Sequence, residues 1–340
     1  MKHFAARAIA VAVALMILAA GLAACGSKSE STKGEAEPLT LDLDFYPNPD
    51  HAGVYMAEQE GLFKEAGLDV TINSPSDPAA PLKEVAVGRA DLAITYEPEV
   101  VLAHEKGLDV VAVAALVNQP LTSLMWLKKS GIKGVADLQG KTVSYAGIPY
   151  QEAFLKTILE RAQVPLSSVK AVNVGFGLLP SLISGSAQAM LGGYSNVEGV
   201  DLRERGENPV ITPVDQLGVP TYDELVVVAR RSTLEAEGER IRLFISALRQ
   251  GTEAAAANPK AATEAILAAN PDLEPKLAEA QVKATLPLLN ARTPGKPYGW
   301  MDPEEWETFA GWMRDEELIS GQPKAAELLS NAYLLDEIPE

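Results

Sequence analysis

The chain has 340 residues but only one cysteine, Cys25, and three histidines, too few for an internal disulfide or for the paired thiolates and imidazoles of a zinc site. His104, in His104-Glu105-Lys106-Gly107-Leu108, has no second histidine one helical turn away and reads as an ordinary helix-end residue. Cations are also scarce. Lysine and arginine number 29 against 46 aspartates and glutamates, and a formal charge of -17 disfavours nucleic acid and anionic lipid as partners. Neither a Gly-x-Ser-x-Gly elbow nor a Gly-x-x-x-x-Gly-Lys-Ser/Thr loop occurs, so acyl transfer and P-loop phosphoryl transfer lack their local signatures. In Gly175-Phe176-Gly177-Leu178-Leu179-Pro180 a proline stands where a dinucleotide fingerprint needs its third glycine. No cofactor or metal is expected, and no low-complexity tract follows residue 38.

What the chain does have begins at its first residues. Lys2 and Arg7 precede an apolar run from Ala8 to Ala20, shorter than the ~20 residues of a spanning helix, that leads into Leu22-Ala23-Ala24-Cys25. Residues 1–24 read as a signal peptide, and Leu22 to Cys25 resembles a bacterial lipobox with Cys25 as the lipidated residue. Two acyl chains on that cysteine would give a stable anchor. Removing Lys2 and Arg7 takes the mature charge from -17 to about -19, so lipid rather than a basic patch is expected to hold the protein at the membrane. Residues 25–38 carry no large apolar side chain and read as a flexible tether.

From Leu39 onward, β-rich runs alternate with helical patterns: Leu39 to Phe45, a helix near Ala52 to Ala66, Leu68 to Ile72, a helix near Pro81 to Gly88, Asp91 to Thr95, then Val110 to Val117. The pattern restarts at Lys141 to Tyr145. An echo supports two similar units, because Gly88-Arg-Ala-Asp91-Leu-Ala-Ile94 precedes Tyr96 much as Gly185-Ser-Ala-Gln188-Ala-Met-Leu191 precedes Tyr194. Ser123 to Leu127 and Leu225 to Ala229 are strand-like and stand where the chain would cross between the units. The expected fold is α/β, of two lobes with mostly parallel sheets joined by two hinge crossings: 39–122 with 228–340 as lobe 1, and 123–227 as lobe 2. Thr233 to Leu335 is expected to be mainly helical, with breaks at Asn258-Pro259 and Asn270-Pro271. The Gly147-Ile148-Pro149 and Gly175 to Pro180 loops would present helix N-termini to the cleft, or would simply be tight strand-to-helix turns.

The segment Asp42-Leu-Asp44-Phe-Tyr46-Pro47-Asn48-Pro-Asp-His51-Ala-Gly53, continuing to Gly61-Leu-Phe63-Lys64-Glu65-Ala-Gly67-Leu-Asp69-Val70, resembles one solute-binding family. Val87-Gly88-Arg-Ala-Asp91, Tyr96-Glu97-Pro98, Leu138-Gln-Gly140-Lys141, Gly147-Ile-Pro149 and Gly193-Tyr194-Ser-Asn196-Val-Glu198-Gly199 add to the likeness, which runs from about Leu39 to about Ala229. The family contains the formylaminopyrimidine-binding proteins of bacterial thiamine salvage and is related to the fungal thiamine-pyrimidine synthases. The resemblance implies a type II periplasmic-binding-protein fold and an extracytoplasmic lipoprotein of an ABC importer, on the periplasmic side or the cell surface. It also implies permease and ATPase partners, a monomeric state, and a thiamine-pyrimidine precursor as ligand, with riboflavin or a sulfonate, taurine or nitrate as alternatives. The synthases use a cysteine-rich iron-binding motif that this chain lacks, so no enzyme is expected.

The groups that sit at strand ends facing the cleft are Asp44, Tyr46, Asn48, Tyr96, Glu97, Tyr150, Tyr194, Asn196 and Glu198, with Gly193 and His51 beside them. They are mostly aromatics and acids, which suit a flat heterocycle bearing amines. Each also has a bland reading, since strand-end tyrosines cap cores, loop acids are solvated and His51 can cap a helix. The resemblance departs at Phe45-Tyr46, where relatives often carry tryptophan, and Trp300 is a spare aromatic that would supply the stack or pack a core.

Overall fold

The computed structural model describes residues 36–289, 291 and 293–334. The expected signal peptide, the lipidated Cys25 and nearly all of the tether lie outside the described residues. Glu37 and Pro38, expected in the tether, belong to β1 (Glu37–Asp42), which pairs along its whole length with β2 (Leu68–Asn73).

Two five-stranded sheets form. The first has the order β2-β1-β3-β10-β4, with β3 (Leu92–Thr95), β4 (Val110–Val117) and β10 (Leu225–Arg230). The second has the order β7-β6-β8-β5-β9, with β5 (Thr122–Leu127), β6 (Thr142–Tyr145), β7 (Lys170–Asn173), β8 (Ala189–Tyr194) and β9 (Pro209–Pro213). The two orders superpose, with β1 matching β6, β3 matching β8 and the crossing strand β10 matching β5. Each sheet is mostly parallel, as expected, and mixed by one strand: four strands run the same way, and the crossing strand runs antiparallel to both of its neighbours because it enters from the other lobe. The result is the two-lobed architecture of type II periplasmic binding proteins.

Helices cover both faces, so central strands are buried on both sides and read as apolar runs; β3 is buried throughout and β10 in all but its last residue. The expected helix over Ala52 to Ala66 is two, α1 (Ala52–Gln59) and α2 (Leu62–Glu65), broken at Gly61, whose φ of 76° lies in the left-handed region. α3 (Pro81–Ala86) follows as expected. α4 (Glu97–Glu105) ends beside His104, which reads as a helix-end residue, and α10 (Pro275–Leu289) lies in the stretch expected to be helical, whereas α7 (Glu198–Glu204) has no counterpart among the expected helices. Pro98 and Pro275 occupy first-turn positions, where proline starts a helix rather than breaking it. In lobe 2, α5 (Gln151–Arg161) and α6 (Leu178–Ile183) follow β6 and β7.

The C-terminal part returns to lobe 1 as α8 (Arg231–Ala257), kinked at Glu237, then α9 (Pro259–Ala269), α10, α11 (Pro303–Asp315) and α12 (Ala325–Leu328). α8 lies along α1, and α10 reaches across to α7 of the second lobe. The boundaries expected at 122/123 and 227/228 fall inside β5 and β10: Thr122 belongs to the second sheet, and Leu225 to Val227 already belong to the first.

Candidate functional site

The carboxyl ends of the parallel strands converge between the lobes, where an α/β sheet leaves a crevice. β1 runs into the loop bearing Asp44, Phe45 and Asn48, and β3 ends against Tyr96. From the other side β6 leads to Ile148, Tyr150 and Gln151, and β8 brings Gly192, Tyr194 and, at the start of α7, Glu198. Thr122, Ala146, Leu178 and Val197 complete the wall of the pocket they enclose. No lysine or arginine is among its lining residues.

Asp44 organises the lobe 1 side. Its Oδ1 accepts from His51 Nε2 at 2.8 Å and its Oδ2 from the Tyr96 hydroxyl at 2.9 Å. The Asn48 backbone N–H donates to His51 Nδ1 at 3.2 Å, which fixes the proton of the ring on Nε2. Asn48 also caps the turn that starts at Pro49, its side chain accepting from Asp50 N at 2.9 Å.

Lobe 2 and the hinge contribute two further carboxylates. Glu198 accepts from the Tyr194 backbone N–H at 2.7 Å, and burial pushes its pKa up to about 7 against the pull of that bond. Glu224, fully buried just before β10, accepts from Leu121 N at 2.6 Å, Thr122 N at 2.7 Å, Thr122 Oγ1 at 2.9 Å, Tyr222 Oη at 3.0 Å and Tyr194 Oη at 3.3 Å. Burial raises its pKa, and the N–H groups of Thr122 and Leu121 oppose that rise. Five donors saturate a carboxylate, so Glu224 ties one crossing segment to the other.

Contacts also bridge the lobes beside the cavity. Asn196 Nδ2 donates to Asp50 Oδ1 at 2.7 Å and to Thr285 Oγ1 at 2.8 Å, while Gln281 Nε2 donates to the Val197 carbonyl at 3.0 Å. Burial lifts the Asp50 carboxyl well above the usual range. Phe45 packs edge-on to Phe176 with centroids 4.6 Å apart, and Tyr96 to Tyr150 at 5.8 Å. The lobes are closed on one another.

Of the residues singled out in the sequence, Asp44, Asn48, Tyr96, Tyr150, Tyr194 and Glu198 line the cavity. Five do not. His51 stands behind Asp44; Asn196 is turned to Asp50 and Thr285; Glu97 accepts from Asp223 N at 2.7 Å, away from the wall; Gly193 yields its place to Gly192; and Tyr46 is 39% exposed, at a neighbouring depression. Trp300 lies in a separate pocket with Tyr298, under Lys296, and supplies no stack here. Sequence reasoning missed Phe45, Thr122, Ile148, Gln151 and Glu224. Gln151 follows the Gly147-Ile148-Pro149 turn that had drawn notice, and its Oε1 accepts from Ala146 N at 2.9 Å. Thr122 and Glu224 carry no local signal.

Fold and cleft together define a two-lobed binding protein with an acidic, aromatic ligand chamber. The chain belongs to the NMT1/THI5-like family, whose model matches residues 48–262. It is 37% identical to a formylaminopyrimidine-binding protein of Halalkalibacterium halodurans, over 90% of this chain and 93% of that one. It is 35% identical to a putative thiamine biosynthesis protein of Haemophilus influenzae, over 88% and 93%. A 4-amino-5-hydroxymethyl-2-methylpyrimidine phosphate synthase of Legionella pneumophila is 27% identical over 74% and 80%. Among solved structures, the alkanesulfonate-binding protein SsuA of Xanthomonas axonopodis superposes with a TM-score of 0.68 at 15% identity, covering 87% of this chain and 99% of that one.

Proposed function

We propose that the chain is the solute-binding component of an ABC importer and captures an aminated pyrimidine, a thiamine precursor of the formylaminopyrimidine kind, outside the cytoplasm. The observation that carries this reading is the chamber itself: carboxylates at Asp44 and Glu198, rings at Phe45, Tyr96, Tyr150 and Tyr194, and no cation. Carboxylates and phenol oxygens accept hydrogen bonds from ring amines, and aromatic faces stack on a flat ring. A sulfonate or nitrate would set anionic oxygens against Asp44 and Glu198. The relative named as a formylaminopyrimidine-binding protein supports the same ligand class.

Capture proceeds without covalent chemistry. Ligand bound to one lobe gains contacts from the other, and that difference shifts an open-closed equilibrium about the Glu224-tied hinge. The closed form docks on a permease driven by an ATPase, with the lipid on Cys25 keeping the monomer at the membrane. Relatives named as synthases suggest an enzyme, but the cysteine-rich iron-binding motif that the resemblance implies for them finds no match in a chain whose one cysteine is Cys25. The test is uptake. Cells expressing the chain with its permease and ATPase should accumulate labelled formylaminopyrimidine, and Asp44→Ala cells should not; equal uptake by both would sink the reading.

A further inference from the structure

Four hydroxyl groups line the chamber, on Tyr96, Thr122, Tyr150 and Tyr194. In a solvated site each would turn its proton toward whatever the ligand offers. Here three of them are not free to do so. Tyr96 donates to Asp44 Oδ2 at 2.9 Å, while Thr122 and Tyr194 donate to Glu224 Oε1 at 2.9 and 3.3 Å. Both carboxylates are themselves locked, Asp44 by a histidine whose tautomer a backbone N–H fixes, Glu224 by five donors.

Resting on the ligand reading above, we infer that Asp44 and Glu224 set the ligand's functional-group selectivity, choosing an exocyclic amine over an oxo group. Asp44 acts directly at the wall and through Tyr96. Glu224 is a positioning residue that acts through Tyr194 and Thr122. With these protons drawn outward, the phenol oxygens of Tyr96 and Tyr194 face the chamber as acceptors, alongside the carboxylates of Asp44 and Glu198. The counterpart donor is the Gln151 amide: its Oε1 is held by Ala146 N, leaving Nε2 over Gly192, where an added Cβ would stand 2.5 Å from it. Several acceptors beside one donor complement the amidine edge of a 4-aminopyrimidine, whose amine donates twice while the adjacent ring nitrogen accepts. A 4-oxopyrimidine presents the reverse pattern, a carbonyl acceptor and a ring N–H, and would face lone pairs with lone pairs. Buried groups left unpaired in this way discriminate strongly, so the amine should be favoured by about 100-fold or more.

The experiment is calorimetric titration of the full chain with 4-amino-2-methylpyrimidine-5-methanol and with its 4-oxo isostere. The wild type should bind the amine at least ~100-fold more tightly. In Glu224→Gln the new amide donates to Tyr194, whose proton then turns inward, and the amine-to-oxo ratio should fall at least ~10-fold. Because Glu224 also ties the hinge, Tyr194→Phe serves as the second variant: it removes one acceptor and should weaken the amine while leaving the oxo compound unchanged. A merely structural role would weaken both isosteres alike and leave the ratio intact. Equal binding of the two by the wild type, or a ratio unchanged in both variants, overturns the inference. Binding of neither isostere instead defeats the ligand reading on which it rests.

Discussion

Replacing Asn196 by alanine removes no atom from the chamber wall, yet it should cripple capture. In the closed form its Nδ2 serves two acceptors across the cleft, Asp50 Oδ1 at 2.7 Å and Thr285 Oγ1 at 2.8 Å. A bond to a carboxylate contributes about 1.5–3 kcal/mol and a neutral one about 0.5–1.5 kcal/mol. Asp50 is fully buried, with Oδ2 unpartnered, and its raised pKa lets a proton absorb part of the loss, which favours the lower end of the sum. Closure should therefore weaken by about 2–4 kcal/mol, which multiplies Kd by roughly 30 to 1,000. Because both acceptors meet water once the lobes part, the ligand-free melting temperature should change little in a protein that rests open. Calorimetry gives Kd, and small-angle scattering at saturating ligand gives lobe separation. A Kd within threefold of wild type would refute the reasoning, since it would mean that the Asn196 bonds contribute nothing to closure.

Three further outcomes are expected. Glu198 has its pKa pushed up to about 7, so if its carboxylate accepts from the ligand, affinity should be level above pH 7 and weaken toward tenfold per unit below it. Glu198→Gln should flatten that profile, and a wild-type affinity constant from pH 8 to 6 would contradict the assignment. Burial likewise raises the Asp223 carboxyl to about 7 and lifts Glu97 well above the carboxylate range, each beside the other. The folded state thus holds protons the unfolded chain releases, and stability should fall as pH rises from about 4 to about 7, by roughly 2 kcal/mol between pH 5.5 and 7 for one such group. Denaturant melts should show Asp223→Asn with the shallower pH dependence; parallel curves would speak against it. Gly192→Ala must place a side chain at φ 104° and against Gln151 Nε2, so binding should drop at least ~10-fold by calorimetry while the circular dichroism spectrum stays native.

Much of this molecule is legible in its sequence, for identifiable reasons. The echo between Gly88 to Tyr96 and Gly185 to Tyr194 marks β3 and β8, which hold equivalent places in the two sheets and deliver Tyr96 and Tyr194 to opposite walls. Asp44 and Glu198 were visible because both follow strand ends of the expected kind. His51 and Asn196 were recognised as belonging near the site but not in their roles: periodicity places a residue on an element, whereas only the approach of the lobes turns Asn196 toward Asp50. Glu224 was invisible in principle. Nothing in Pro220-Thr-Tyr-Asp-Glu224 marks it, and its partner Thr122 stands 102 residues away. The start of α4 and the whole of α7 escape the sequence because Tyr96-Glu97-Pro98 and Asn196-Val-Glu198-Gly199 read as strand-end chemistry, when both place the chemistry on the first turn of a helix.

The most direct test of the account is calorimetric titration of the purified chain with formylaminopyrimidine, taurine, nitrate and riboflavin in parallel. Tight one-to-one binding of the pyrimidine and silence from the other three is the predicted result. Binding of taurine, nitrate or riboflavin in preference to the pyrimidine would contradict the reading of an acidic, aromatic chamber as a site for an aminated ring.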